Sequence, residues 1–435
     1  MIKKLHLEGT GPASLLELFP GERLNLITGD NGLGKTFLLD IAWWALAKTW
    51  AGSVPSPRMG EKAKIAWELS LDDNINALEE VNYQQSQWAF TPPPNYLVQN
   101  TGLVIYARVD GGISIRDPLR NDWAFIHGQL GKYTQQQFGF VPQNIRSYHF
   151  TPHTLWEGLY MEETLVCNGL LNDWIKWQYQ PKQTDTSAFQ ILQQVLETLS
   201  PDPDEKMEIG DPVRLFPYDA RDYPTLKMPY GLVPVVHASA GMKRILSLAY
   251  ALVWAWAEHQ QAAQLLNQAP SQRMVLLFDE VEAHLHPRWQ RSILPSLLKV
   301  VQLLDPHMQV QILATTHAPL VLASAEPWFK PQTDRLYLFQ QQGSQIQLEE
   351  LPWAKQGDAT GWLLSEVFGL EQARSLEAEK AIESAEAWMR DEKNTLPIEL
   401  SSQEKIHAEL LRVLAGHDPF WPRWIIHQDR MAGQV

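Results

Sequence analysis

LNLITGDNGLGKTFLL, residues 24–39, is the stretch from which the rest of the chain is read. An apolar run leads into Gly29-Asp30-Asn31-Gly32-Leu33-Gly34-Lys35-Thr36, a full match to G-x-x-x-x-G-K-[ST], and an apolar-periodic segment follows. Strand, glycine-rich turn and helix in that order make a phosphate cradle. Glycines let successive backbone N–H groups converge on an anion, Lys35 reaches the outer phosphates, and Thr36 offers a hydroxyl to Mg2+. The helix starting near Lys35 adds its positive N-terminal end. The predicted phosphate contacts are Gly29, Asp30, Asn31, Gly32, Gly34, Lys35, Thr36 and the adjoining Phe37.

Bulk properties bound the rest. The 435 residues are 45% hydrophobic and 20% charged, enough for a large core in two or three subdomains. A formal net charge of −14 argues against nucleic acid wrapped nonspecifically over the whole surface and leaves a local basic face open. Cys167 is the single cysteine, so neither an intramolecular disulfide nor a cysteine-based zinc cage can form, in keeping with a reducing compartment. Two lysines near the N-terminus have no apolar run behind them, and no stretch reaches the roughly 18 residues of a membrane span. A cytoplasmic chain without membrane association is expected.

Along the chain, residues 2–9 and 23–28 read as strands, and Phe37–Trp50 as a largely buried helix with Trp43, Trp44 and Trp50 as packing residues. From Ala51 to about Tyr148, turn signals and short strands predict an antiparallel sheet. Its pieces are Lys64–Leu71, Tyr96–Gln99, and a hairpin of Leu103–Val109 with Ile113–Arg116, with Pro92-Pro93-Pro94 as a loop or strand break. Arg108, Arg116 and Arg120 make either a solvated face, the more ordinary reading, or a contact for an anionic partner. Residues 151–266 return to helical periodicity in Leu155–Gly169, Leu170–Gln178 and Ala188–Leu199, while 200–235, with seven prolines, reads as an irregular connection. His237-Ala238-Ser239-Ala240-Gly241-Met242-Lys243-Arg244 then opens the apolar helix Ile245–Glu258. Met274–Asp279 and Gln309–Thr316 read as buried parallel strands, and Leu336–Gln340 with Gln345–Leu351 as a closing hairpin. Glu371–Lys393 and Gln403–Ala415 are amphipathic helices, followed by the aromatic run Phe420–Trp424.

Hydrolysis of a nucleoside triphosphate needs, beyond the cradle, a metal ligand, a carboxylate to take a proton from water, and a γ-phosphate sensor. Asp279 and Glu280, ending a buried strand, supply the first two, with Thr36 sharing the metal. His317, ending the next strand after two threonines, is placed for the third. Singly, each has a plain reading as a turn acid or a loop histidine. In this order they point to ATP and Mg2+, with Lys35, Glu280 and His317 as the catalytic set.

The order of phosphate loop, Ser239-Ala240-Gly241-Met242-Lys243, Asp279-Glu280 and His317 resembles the ABC-type ATPases of the SMC/RecF group. Glu282-Ala283-His284-Leu285-His286-Pro287 resembles the OLD (overcoming lysogenization defect) family, and together the motifs span about residues 1–350. Asn168–Trp174, Trp177-Gln178 and Asp418–Trp424 are similar to segments of bacterial anti-phage ATPases such as those of Septu systems, which are encoded beside an HNH-type or other effector nuclease.

The resemblance implies an α/β, two-lobed ABC/SMC-head-like P-loop NTPase with a mixed-sheet core, an antiparallel β subdomain, a helical signature lobe and a C-terminal helical extension. The expected divisions are 1–150, 151–266, 267–351 and 352–435. It implies a homodimer or higher oligomer closed over ATP, with Ser239 and Gly241 meeting the γ-phosphate in trans and Asp279, Glu280 and His317 acting in cis. It implies a separately encoded effector docked on the C-terminal helices, and DNA or a phage-derived molecule as trigger. Two family features are missing: no sustained heptads stand between loop and signature, and no strand-borne Asp-x-Asp cluster marks a Toprim nuclease, so cleavage by this chain is not expected. Glu282, His284 and His286 are open to two readings, loop packing and metal ligation. Two other classes stay open: a RecF-like DNA-repair ATPase, which the net charge disfavours, and the ATP-hydrolysing subunit of a transporter. Gln143 is the candidate polar sensor before the signature.

Overall fold

Five near-continuous apolar runs form the centre of an eight-stranded mixed sheet. In spatial order its strands are Gln345–Leu351, Arg335–Gln342, Leu24–Gly29, Gln309–Thr315, Arg273–Phe278, Leu103–Ala107, Ile113–Arg116 and Tyr148–Phe150. The five from Arg335–Gln342 to Leu103–Ala107 are parallel, and the flanking strands pair antiparallel. A parallel strand covered on both faces has no reason to alternate, which is why these runs are apolar throughout. The computed structural model describes residues 1–70, 76–85, 87–88, 101–122, 146–161, 163–180, 187–202 and 206–432. The expected strand 96–99, the triple-proline break and Gln143 lie outside the described residues.

The helix Lys35–Ala47 is apolar on almost every face because it is clamped between two sheets. Its second wall is a five-stranded antiparallel sheet ordered Ala13–Leu18, Ile2–Thr10, Lys64–Ser70, Asn76–Gln84, Gln87–Trp88. Trp43 and Trp44 share one core with Leu5, Leu7 and Trp67 of that sheet and with Ile27, Tyr106, Leu277 and Leu313 of the mixed sheet. Trp50 stacks on Trp44 at 5.0 Å. The three tryptophans are packing residues, as read.

Parallel pairing brings the carboxyl ends of neighbouring strands to one edge, where ligands of open α/β sheets bind. Gly29, Thr315, Phe278 and Ala107 all end there, so the phosphate loop, the acids and the strand-end histidine meet by topology alone.

Three expectations are corrected. Residues 155–169 are not one helix: Pro152–Glu157 stops at Gly158, which sits at φ +117, and a hairpin of Leu159–Met161 with Thr164–Cys167 follows. Residues 200–235 are not irregular: Glu208–Arg214, Asp222–Met228 and Gly231–Pro234 form a three-stranded sheet. Pro212 sits in the register shift between Gly210 and Val213, and Pro234 ends its strand, positions where a missing N–H is tolerated. Third, the arginines are neither a solvated face nor free for an anion. Arg116 pairs with Asp122 at 2.7 Å, Arg120 reaches Glu258 at 3.3 Å and lies over Trp254, and Arg108 donates to the Ala51 carbonyl. Smaller shifts move helix ends: the signature helix runs Ala240–Leu265, and the first C-terminal amphipathic helix starts at Leu376, capped by Ser375.

The chain divides into two units, Met1–Ala359 and Thr360–Val435. In the second, the helices Leu376–Met389 and Gln403–Val413 close over Phe420 and the fully buried Trp424, whose indole N–H donates to His407 Nδ1 at 3.0 Å. The terminal aromatic run is thus partly core. Among the described residues no helix is long and apolar enough to cross a membrane.

Candidate nucleotide site

The phosphate loop turns through glycines that nothing else can replace. Gly29 and Gly34 sit at φ +130 and +106, and a Cβ on them would lie 2.5 Å from the Phe339 carbonyl oxygen and 2.5 Å from Pro12. Leu33 is buried and anchors the loop, whereas Asp30, Asn31 and Gly32 are exposed at its rim. Lys35 Nζ donates to the carbonyls of Gly29 and Asp30 at 2.8 and 2.7 Å, which holds the ammonium inside the loop. Burial lowers its pKa, opposed by the charges of Glu280, Asp279 and Asp30. Phe37 packs beneath the Gly11 turn, where a Cβ would meet its ring at 2.4 Å, so it supports the loop from below.

Asp279 is 1% exposed. One carboxylate oxygen accepts from Thr36 Oγ1 at 2.8 Å and the other from Thr315 Oγ1 at 2.9 Å. Among the described residues no ion pair reaches this buried carboxylate. An acid satisfied only by hydroxyls, next to a threonine at the mouth of a phosphate loop, is an oxygen-donor set suited to Mg2+. The set therefore fits the metal: Thr36 and Asp279 would hold it, and bound there it would neutralise phosphate charge.

Glu280 takes the left-handed conformation, φ +48, which is rare for a residue with a side chain and costs on the order of 1–3 kcal/mol. Thr315 enforces it: its hydroxyl accepts from Glu280 N at 2.7 Å, while its carbonyl accepts from Val281 N at 3.1 Å. The strained turn aims the carboxylate toward His317, whose Nε2 lies 3.8 Å from Glu280 Oε1. Burial first, then the Lys35 charge, lowers the His317 pKa, opposed by the Glu280 and Asp279 charges. Lys35, Thr36, Asp279, Glu280 and His317 are thereby brought together.

Ser239 and Gly241 are not part of that group. Ser239 is exposed and caps its own helix, accepting from Met242 N at 3.3 Å. Gly241 packs on the loop after the acids, where a Cβ would be 2.7 Å from the His284 carbonyl oxygen. Of the two readings of Glu282, His284 and His286, the contacts are those of loop packing. Glu282 turns inward to accept from His317 N at 2.5 Å, and His286 caps a short helix through Arg288 N. Among the described residues the only group of ligating atoms close enough for an ion is Glu371, Glu379 and Glu383, an acidic cluster in the second unit.

Sequence reasoning missed three contributors. Thr315 was visible as half of a threonine pair before the histidine, although only the strand pairing shows which acid it holds. Glu282 holds the His317 amide, a more specific role than loop packing or metal ligation describes. Asp40, one helical turn past Thr36, is 8% exposed and burial pushes its pKa up to about 6, with the Asp279 charge adding to the rise.

Residues 196–323 match a family described as "AAA domain, putative AbiEii toxin, Type IV TA system". Over 385 residues, 86% of each chain, the sequence is 22% identical to the Septu protein PtuA of Bacillus thuringiensis. The chain is similar to defence-system ATPases. A shorter match, 28% identity over 98 residues, covers 22% of the chain and 15% of the Retron Ec83 probable ATPase of Escherichia coli. Among solved structures, an SMC head bound to the C-winged helix domain of ScpA superposes at a TM-score of 0.42 with 13% identity, covering 80% of this chain and 97% of that one. The resemblance read from the motifs to ABC-type ATPases of defence systems stands.

Proposed function

We propose that the chain hydrolyses ATP as a homodimer and that its nucleotide cycle gates a separately encoded effector, a nuclease in the first instance, in anti-phage defence. One observation carries the catalytic half of this reading: the hydrogen-bonded chain Thr36–Asp279–Thr315–Glu280, with Asp279 and Thr315 buried, ending 3.8 Å from His317. Glu280 takes the proton of the attacking water, Asp279 and Thr36 hold Mg2+, Lys35 lies along the outer phosphates, and His317 senses the γ-phosphate. In its neutral form His317 can donate one ring N–H and accept at the other nitrogen. Ser239 and Gly241, free of their own phosphate loop, supply the second half of the site in a partner copy, so ATP binding closes the dimer and hydrolysis reopens it. The similarity to Septu PtuA supports the defence setting, and the Thr360–Val435 unit is the proposed docking surface for the effector.

Glu280→Gln should retain ATP binding and accumulate as a nucleotide-bound dimer in light scattering, with phosphate release down by about 10²–10⁴-fold. Lys35→Ala should lose nucleotide binding and remain a monomer with ATP. Equal hydrolysis by wild type and Glu280→Gln would reject the assignment.

A further inference from the structure

We infer that Glu282 is a positioning residue: its carboxylate fixes the main chain of His317 and ties that histidine to the loop on which Gly241 rests. The inference depends on the ATPase reading of the same site for its catalytic consequence, and on geometry alone for the contact.

His317 follows the last ladder position of its strand. Thr316 N still donates to Ile27 O at 3.0 Å, and Ala318 N donates to Thr316 Oγ1 at 3.1 Å. Between them, His317 N finds its acceptor in Glu282 Oε1 at 2.5 Å, across from the neighbouring strand's loop. The bond gives the His317 amide the acceptor that its own strand does not supply. Because the imidazole sits 3.8 Å from Glu280, a displacement of a few tenths of an ångström in the His317 main chain changes whether the two side chains can share a ligand.

The other end of the loop meets the signature helix. Ala283 N donates to Glu280 O and Leu285 N to Glu282 O, both at 2.8 Å, so residues 280–285 form one short wound turn with His284 at φ +64. The His284 carbonyl points at Gly241. Gly241 is the second residue of its helix and has no left-handed φ, so its backbone conformation needs no glycine. The close approach is the reason for it. A single residue, Ala283, separates Glu282 from His284, so a push on Gly241 from a partner's nucleotide would reach His317 through a single tight turn.

The test uses the full chain with Glu282→Gln, Glu282→Ala and Gly241→Ala, reading amide hydrogen exchange around His317 alongside ATP turnover and nucleotide affinity. Gln keeps an acceptor oxygen and Ala keeps none. Glu282→Gln should hold wild-type protection and turnover within about 3-fold. Glu282→Ala should exchange at least about 10-fold faster at His317 and lose kcat about 10-fold or more with KM unchanged, while protection of 273–278 reports an intact sheet. Gly241→Ala should accelerate the same amide. A Gln variant as impaired as Ala would make Glu282 an acid or a ligand and overturn the inference, as would unchanged His317 exchange in Glu282→Ala. Unchanged exchange in Gly241→Ala would break the tie to the signature. If wild type shows no hydrolysis yet the exchange pattern holds, the ATPase reading fails and the positioning role stands.

Discussion

Replacing Thr315 by Val should destabilise the protein more than replacing it by Ser, although Val is the more apolar residue and position 315 is fully buried. The Thr315 hydroxyl makes two hydrogen bonds at once, donating to Asp279 at 2.9 Å and accepting from Glu280 N at 2.7 Å. Val fills nearly the same volume and makes neither. A hydrogen bond to a charged group contributes about 1.5–3 kcal/mol, and an unsatisfied buried N–H costs a further 1–3 kcal/mol or so. Taking mid-range values and subtracting about 1 kcal/mol for the apolar gain leaves a loss of about 3 kcal/mol. Ser keeps both bonds and gives up one methyl group, about 1 kcal/mol. The expected gap is therefore about 2 kcal/mol in favour of Ser. Urea unfolding followed by tryptophan emission measures it, and a double-mutant cycle with Asp279→Asn assigns the part that belongs to the acid, with an expected coupling of about 1–2 kcal/mol. Val equal to or more stable than Ser, or a coupling near zero, would show that Thr315 acts only by filling space and that the Glu280 conformation is held by something else.

Asp40 predicts a pH dependence. Its pKa is raised to about 6 against an ordinary 3.8, so the folded state holds the proton more tightly, and the associated stability, present below about pH 4, is lost as pH rises through 6. About two units correspond to about 3 kcal/mol at most, so Asp40→Asn should flatten the fall between pH 4 and 7 by up to that amount in urea titrations, and parallel curves for the two proteins would count against it. Trp424→Ala should cost about 3–5 kcal/mol within the Thr360–Val435 unit, seen as lost exchange protection in Leu376–Met389 and Gln403–Val413. Protection at 273–278 should survive, and its loss would mean that the two units do not unfold separately.

The parts of the site legible in the sequence are those in which one local stretch does the whole task. Gly29–Thr36 carries its own turn and its own helix start, and the acids close an apolar strand long enough to be buried. Those segments read correctly because parallel pairing needs only that each strand be apolar and end in its functional residue. Contributions that arise between strands are not written in any one segment. Thr315 matters because its strand lies beside Arg273–Phe278 in a register that sets Ala314 against Phe278, and nothing in QILATTH states which neighbour it will have. The three-stranded sheet at 208–234 was hidden for a different reason: prolines suppress a strand reading, whereas here they fall where the ladder already breaks or ends. The arginines of the hairpin read as surface because a single sequence does not reveal that Asp122 and Glu258 will stand opposite them.

Gly241 carries a structural constraint that the motif reading does not contain. Read as a signature, it is a small residue that lets a helix start approach a phosphate. The structure gives it a second constraint inside its own chain, because the His284 carbonyl already occupies the space that a side chain would need. The two demands fall on the same atom: whatever docks against Ser239 and Gly241 from outside presses on a helix start whose inner side rests on the loop carrying Glu282. That loop in turn holds His317 by its backbone and begins at Glu280. Under the proposed trans arrangement the residue must be small on both sides, which leaves no slack for the helix start to absorb a displacement, so contact made at the exposed cap would be felt at the acids. Among the described residues Ser239 and Gly241 share no hydrogen bond with Glu280 or His317, and in the inferred coupling the loop of residues 280–285 is what joins them.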